Sequence, residues 1–159
     1  GSDESRDVSA DGLGNVYITG FTQGSLAGPH AGHSDAFVSK FDASGSLLWT
    51  TQFGTSGNDE GRSVSADQLG NVYITGSTMN SVFVSKFDAL GSLQWTMHPN
   101  RGTSFANGVS ADGLGNVYIS GRTHISADAY VAKYGVLVPE PTTITIALVA
   151  LCLPFWRRR

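Results

Sequence analysis

The 159-residue chain is poor in the residues that staple or steer a fold. It has one cysteine, Cys152, so no internal disulfide can form. Charged residues make up 14% of the chain, and the formal net charge is −3. Even that small value hides an asymmetry. Three of the ten basic residues are the last three, Arg157, Arg158 and Arg159, and without them seven Lys and Arg face thirteen Asp and Glu. A mildly acidic body of this kind offers no cationic field for nucleic acid. Helical periodicity is absent before residue 142. No G-x-S-x-G elbow, Walker loop or pair of catalytic carboxylates is legible. No charged n-region and apolar h-region follow Gly1, so no signal peptide is visible, and the chain opens mid-repeat. It therefore reads as the C-terminal fragment of a longer protein.

What the chain has in abundance is repetition. V-S-A-D-G-L-G-N-V-Y-I-T-G starts at Val8, V-S-A-D-Q-L-G-N-V-Y-I-T-G at Val64 and V-S-A-D-G-L-G-N-V-Y-I-S-G at Val109. A second block accompanies the first: D-A-F-V-S-K-F-D-A-S-G-S-L-L-W-T from Asp35, S-V-F-V-S-K-F-D-A-L-G-S-L-Q-W-T from Ser81, and a weaker D-A-Y-V-A-K-Y-G from Asp128. Most of the difference in period lies at one place. Gln23 to Ser34 holds twelve residues where its counterpart, Met79–Asn80, holds two, which marks a surface loop.

The repeats alternate with period two. Leu93, Trp95 and Met97 fall on one face while Gln94, Thr96 and His98 fall on the other, as in a half-buried antiparallel strand. Four strands emerge per unit: Ala36–Phe41, Leu47–Phe53, Arg62–Ala66 and Val72–Thr75. The tally is two strands before residue 23, two sets of four, and one near Ala129–Tyr134, eleven in all. A small sheet cannot bury both faces alone, so units of this length are expected to stack as four-stranded blades of a β-propeller. The fold class read from the chain is all-β: a partial propeller of just under three blades over residues 1–135, followed by a hydrophobic helix. The leftover pair and the lone last strand would share a blade only in a closed ring.

The run G-N-V-Y-I-T-G-x-T, then D-A-F-V-S-K, then G-S-L-x-W-T resembles the bacterial β-propeller repeats called SBBP, over roughly residues 5 to 135. The resemblance implies a large exported protein and a propeller fold more than it implies an activity.

Residues 136–141 read as a linker, and residues 142–159 as a membrane-crossing sorting helix with a basic end. Pro139-Glu140-Pro141 precedes fifteen uncharged residues, Thr142 to Trp156, and then the three arginines. A fifteen-residue helix rises about 22 Å, short of a ~30 Å hydrocarbon core, with snorkelling arginines to cover the deficit. The order of elements is similar to the PEP-CTERM sorting signal. That resemblance implies recognition of Pro139, Glu140 and Pro141 by an exosortase-type enzyme. It also implies export, transient anchoring in the membrane by the helix, and a final place at the cell surface or outside it. Exopolysaccharide and other surface proteins are the further partners in view; nucleic acid is not. A buried C-terminal strand or helix is the alternative, since Ile144-Thr145-Ile146 suits a strand, and Cys152 reads as a packed thiol.

Three patterns invite chemistry. Asp-x-x-Gly-Asn recurs as Asp11/Gly14/Asn15, Asp67/Gly70/Asn71 and Asp112/Gly115/Asn116. Calcium is one reading; a tight turn between the third and fourth strands of the unit, with Asp accepting backbone N–H groups, is the favoured one. His30, His33 and Asp35 form H-x-x-H-x-D, a weak zinc pattern in the long loop. His98 and His124 stand alone and read as surface residues. The aromatics Phe37, Phe41, Trp49, Phe83, Phe87 and Trp95 recur at fixed positions, which points to packing between blades more than to a sugar-binding face. Repeated acids are poor catalytic candidates, because an active site needs one asymmetric constellation. No catalytic residue, metal site or cofactor is assigned. The expected role is a non-enzymatic scaffold or interaction surface. The alternatives are a glycan- or protein-binding module using the loop face, and an enzyme whose catalytic residues lie upstream.

Overall fold

The computed structural model describes residues 1–79, 81–99, 105–123 and 128–135. They form eleven strands in three antiparallel sheets. The first sheet holds β1 (Asp3–Ala10), β2 (Val16–Thr22), β3 (Asp35–Phe41) and β4 (Leu47–Phe53), in that order. The second holds β5 (Glu60–Ala66), β6 (Val72–Thr78), β7 (Ser81–Phe87) and β8 (Leu93–Met97). The third holds β9 (Phe105–Ala111), β10 (Asn116–Arg122) and β11 (Ala129–Gly135). Each sheet is a meander in which sequence neighbours pair.

The strand count agrees with the sequence, but its grouping is corrected. The unit running from Ala36 to Thr75 straddles two sheets: β3 and β4 close the first blade, while β5 and β6 open the second. The leading pair is no remnant, because Val16 to Thr22 pairs residue by residue with Phe41 to Asp35. The last strand likewise completes the third sheet beside β10. The physical reason is loop economy. Twelve residues separate β2 from β3, yet both strands stay in register because only the loop grows.

Blades stack through two cores. Tyr17, Ala36 and Val38 of the first meet Val64, Val72, Ile74, Phe83 and Phe87 of the second. Tyr73 and Val84 of the second meet Val117, Ile119, Ala132 and Tyr134 of the third. The recurring tryptophans work as expected of packing residues. Trp49 lies 6.2 Å from Tyr17 and Trp95 lies 6.3 Å from Tyr73, both tilted. The Trp49 ring also reaches the second blade, where its Nε1 donates to Ala89 O at 3.2 Å. Phe53 packs against Phe83 and Phe87, each at 5.5 Å.

A polar ladder joins the first strands of successive blades. Asp7 Oδ2 accepts from Ser63 Oγ at 2.7 Å and Val64 N at 2.9 Å, and Ser9 Oγ accepts from Ala66 N at 3.1 Å. One blade on, Ser63 Oγ accepts from Val109 N at 3.2 Å and Ser65 Oγ from Ala111 N at 3.0 Å. Side chains of one inner strand thus satisfy backbone donors of the next, which the hydrogen bonds within a blade leave open.

Among the described residues no helix is long and apolar enough to cross a membrane. The expected sorting helix, Pro139–Glu140–Pro141, Arg157, Arg158, Arg159, Cys152 and His124 lie outside the described residues.

Candidate functional site

Meander topology gives the blades two chemically different ends. At one end lie the turns joining the first strand to the second and the third to the fourth. At the other lie the loops joining the second strand to the third and the connections between blades.

The turn end is built from the repeated aspartates. The Asp-x-x-Gly-Asn element joins the first and second strands of each blade, not the third and fourth, a shift that follows from the corrected grouping. Asp11 Oδ1 accepts from Leu13 N at 2.8 Å and Asn15 N at 3.2 Å, and its Oδ2 from Asn15 Nδ2 at 2.7 Å and Tyr17 OH at 3.1 Å. Asp67 repeats the set with Leu69, Asn71 and Tyr73, and Asp112 with Leu114, Asn116 and Tyr118. Four donors occupy the lone pairs of each carboxylate, so the element is a turn lock. Gly70 sits at φ +79 with 3.2 Å between its ideal Cβ and Ala89, a conformation that glycine adopts freely.

These networks shift the ionisation of their members. Burial works against the Asp11 charge, but the donors from Asn15, Leu13 and Tyr17 outweigh it and hold the carboxyl below its usual range. The Asn116 amide does the same for Asp112, and the Ser44 hydroxyl for Asp42 in the next turn along the first blade. Burial, joined by the charge of Asp67, pushes Tyr73 up to about 12, and burial beside Asp11 pushes Tyr17 up as well.

The three turns converge on a cavity of about 700 Å³, lined from each blade by an Ala-Asp-Gly-Leu or Ala-Asp-Gln segment. Leu13 and Leu114 line this mouth, and with Leu69, which follows the lining Gln68, they hold one repeat position at 70%, 85% and 74% exposure in that order, so none of them serves the core. Sequence reading passed over them because leucine in a strand-rich repeat reads as packing. Their place between two glycines, or between Gln68 and Gly70, was the available signal.

The loop end is not repeated. Gln52 organises the long loop: its Nε2 donates to Gly24 O and to Asp35 Oδ2, while its Oε1 accepts from Leu26 N and Ala27 N. The end of that loop is tied to the connection between the first two blades, with His33 N donating to Gly57 O and Asp59 N to Ser34 O, both at 2.9 Å. Of the H-x-x-H-x-D pattern, His30 Nδ1 lies 3.4 Å from Asp35 Oδ2. The three residues are not brought together: among the described residues no group of three His, Cys, Asp or Glu is placed to hold a metal. His98 is exposed, as expected of a surface residue, with its Nδ1 3.2 Å from Val82 O. It lines a cavity of about 160 Å³ between the first two blades, with Phe53, Gly54, Thr55, Asp59, Phe83 and Thr96. Asp59, which the sequence motifs did not flag, is buried there.

Residues 48–83 and 94–126 match the family described as SBBP, beta-propeller repeat. These segments cover parts of all three sheets and less than half of the chain. Among solved structures, the fold is similar to a luciferin-regenerating enzyme. The TM-score is 0.53 over 96% of this chain and 47% of that one, at 16% identity. The likeness is one of fold, and this chain spans about half the length of that structure. No curated protein matches the chain.

Proposed function

We propose that the chain is part of an exported, non-enzymatic propeller that serves as a scaffold or interaction surface. The observation that carries this reading is the fate of the repeated residues at the turn end. Each repeated aspartate is occupied by its own turn, while the repeated Leu13, Leu69 and Leu114 are presented to solvent at that same turn end, two of them lining its cavity. Exposed apolar residues grouped on one rim are a recognition feature, not a stabilising one. Incubating the folded protein with arrays of bacterial exopolysaccharides and surface proteins tests it. Retention that is lost on replacing all three leucines by serine is the expected result. No retention by a protein shown to be folded would remove the reading.

The same proposal assigns residues 136–159 an address: Pro139, Glu140 and Pro141 are read by an exosortase-type enzyme while the apolar segment and Arg157, Arg158 and Arg159 hold the chain in the membrane. It rests on the order of the three sequence elements. Mass spectrometry of exported protein should place the mature C-terminus near Pro139–Pro141. An intact Arg159 on fully exported protein would refute the processing step.

A second reading is a ligand-binding module at the loop end. The observation favouring it is that Gln52 and Asp35 hold the long loop in place from within, as a fixed surface would require.

A further inference from the structure

Two buried carboxylates at the loop end are incompletely satisfied. Asp35 is fully buried and Asp59 is 2% exposed. Each has one occupied oxygen. Asp35 Oδ2 accepts from Ala31 N at 2.9 Å and Gln52 Nε2 at 2.7 Å, and Asp59 Oδ2 from Thr55 N at 2.6 Å and Thr55 Oγ1 at 2.8 Å. Each also has a buried Oδ1 with no hydrogen-bond partner. A carboxylate stripped of water and left partly unpaired is costly, of order several kcal/mol for a buried ion.

The two acids belong to different blades and approach each other across Gly54. A Cβ on Gly54 would lie 2.5 Å from Asp35 Oδ1 and 3.1 Å from Asp59 Oδ2. Those oxygens, the unpartnered one of Asp35 and the Thr55-bound one of Asp59, are therefore at most 5.6 Å apart, the two distances laid end to end. A side chain at Gly54 would press on Asp35, and a cavity of about 160 Å³ is lined there by Gly54, Thr55 and Asp59. Against the two carboxyl groups, the described ion pairs supply one partner, His30, and it faces the Asp35 oxygen that is already occupied.

We propose that Asp35 and Asp59 form a divalent-cation site of the calcium class at the junction of the first two blades. The donor set decides the class. Two hard carboxylates lie there with the Thr55 hydroxyl on one of them, an all-oxygen set, whereas zinc wants three or four nitrogen, sulfur or carboxylate ligands. Bound there, the ion neutralises the pair and ties the start of β3 to the segment leading into β5. The site is also particular to this junction. Ser81 occupies the place of Asp35 in the second blade, so the pair does not recur there.

The test uses the whole chain, stripped with a chelator. Isothermal calorimetry with CaCl2 should show one ion per chain with a Kd of about 10⁻⁴–10⁻³ M, the range of sites with few charged ligands. The thermal midpoint should rise with CaCl2 but not with NaCl of equal ionic strength. Asp35→Asn and Asp59→Asn, shown folded by circular dichroism, should each lose both signals. Gly54→Ala, which keeps both acids but crowds Asp35 Oδ1, should weaken binding at least tenfold. Absence of heat and of a midpoint shift up to ~10 mM CaCl2 in the unmodified chain would overturn the proposal. So would a calcium response that survives in both Asn variants.

Discussion

The two ends of the blades satisfy their aspartates in opposite ways. At the turn end Asp11, Asp67 and Asp112 are each closed within seven residues, by donors on their own turn and the tyrosine that follows. Nothing from a neighbouring blade is needed, so the device can be copied into every repeat. At the loop end Asp35 and Asp59 come from different blades, and each keeps an oxygen without a partner. The contrast separates acids closed within their own turn from acids left with an unpartnered oxygen. A side chain satisfied locally can recur along a repeat, while one satisfied between blades depends on the particular junction.

The strongest way to break this comparison is to replace the acids. Asp67→Ala removes the acceptor of four hydrogen bonds in a buried turn and should cost about 3 kcal/mol of unfolding free energy, measured by chemical denaturation. Asp59→Asn, measured in chelator, should be neutral or slightly stabilising, because it removes a buried charge while keeping an acceptor for Thr55. Equal losses at the two sites would abolish the distinction.

Glycine offers the next test. Gly45 and Gly91 hold one repeat position at φ +83 and +81, so alanine strains both. A Cβ at Gly45 meets nothing within 4 Å, whereas at Gly91 it would lie 2.8 Å from the Trp49 ring of the preceding blade. Gly45→Ala should cost about 1 kcal/mol and Gly91→Ala about 1–2 kcal/mol more, both read from denaturant midpoints. Equal costs would mean that the ring moves freely and does not hold the junction.

The turn end should also govern the response to pH. Asp11, Asp42 and Asp112 are held below their ordinary 3.8, so their contribution is full above that value. It is lost as pH falls through their lower folded values. Tyr73 runs the other way. Raised from 10.0 to about 12, it contributes below pH 10, and that contribution is lost as pH rises through 12. Denaturation across pH should therefore show an acid limb that Asp11→Asn flattens, and ultraviolet titration should find Tyr73 ionising late.

The smallest effect is expected at the rim. Leu13→Ser, Leu69→Ser and Leu114→Ser should each change stability by less than about 0.5 kcal/mol, since these side chains are exposed, and should act instead on retention by a partner.

The turn device was legible because it is local. Asp, Gly and Asn at fixed spacing announce a turn, and three copies announce a blade. The strand count followed from alternation alone. The boundary of the blade did not, because the long loop Gln23–Ser34 looks like a break between units, yet β2 and β3 pair across it without slipping. The Tyr17 hydroxyl on Asp11 was hidden in a run that reads simply as strand. The Asp35–Asp59 approach was hidden too, since 24 residues and a change of blade separate its members. Its faint signal was an acid at Asp35 where the next repeat has Ser81.

The sequence by itself determined that this protein repeats, that it alternates as strand, and where its chains of donors and acceptors turn, because those properties depend on residues within hydrogen-bonding reach along the backbone. Only the tertiary structure decided which strands share a sheet and which side chains meet at a junction. Stacking brings together faces from separate repeats, and what is buried, paired or left open there depends on the neighbour supplied from elsewhere in the chain.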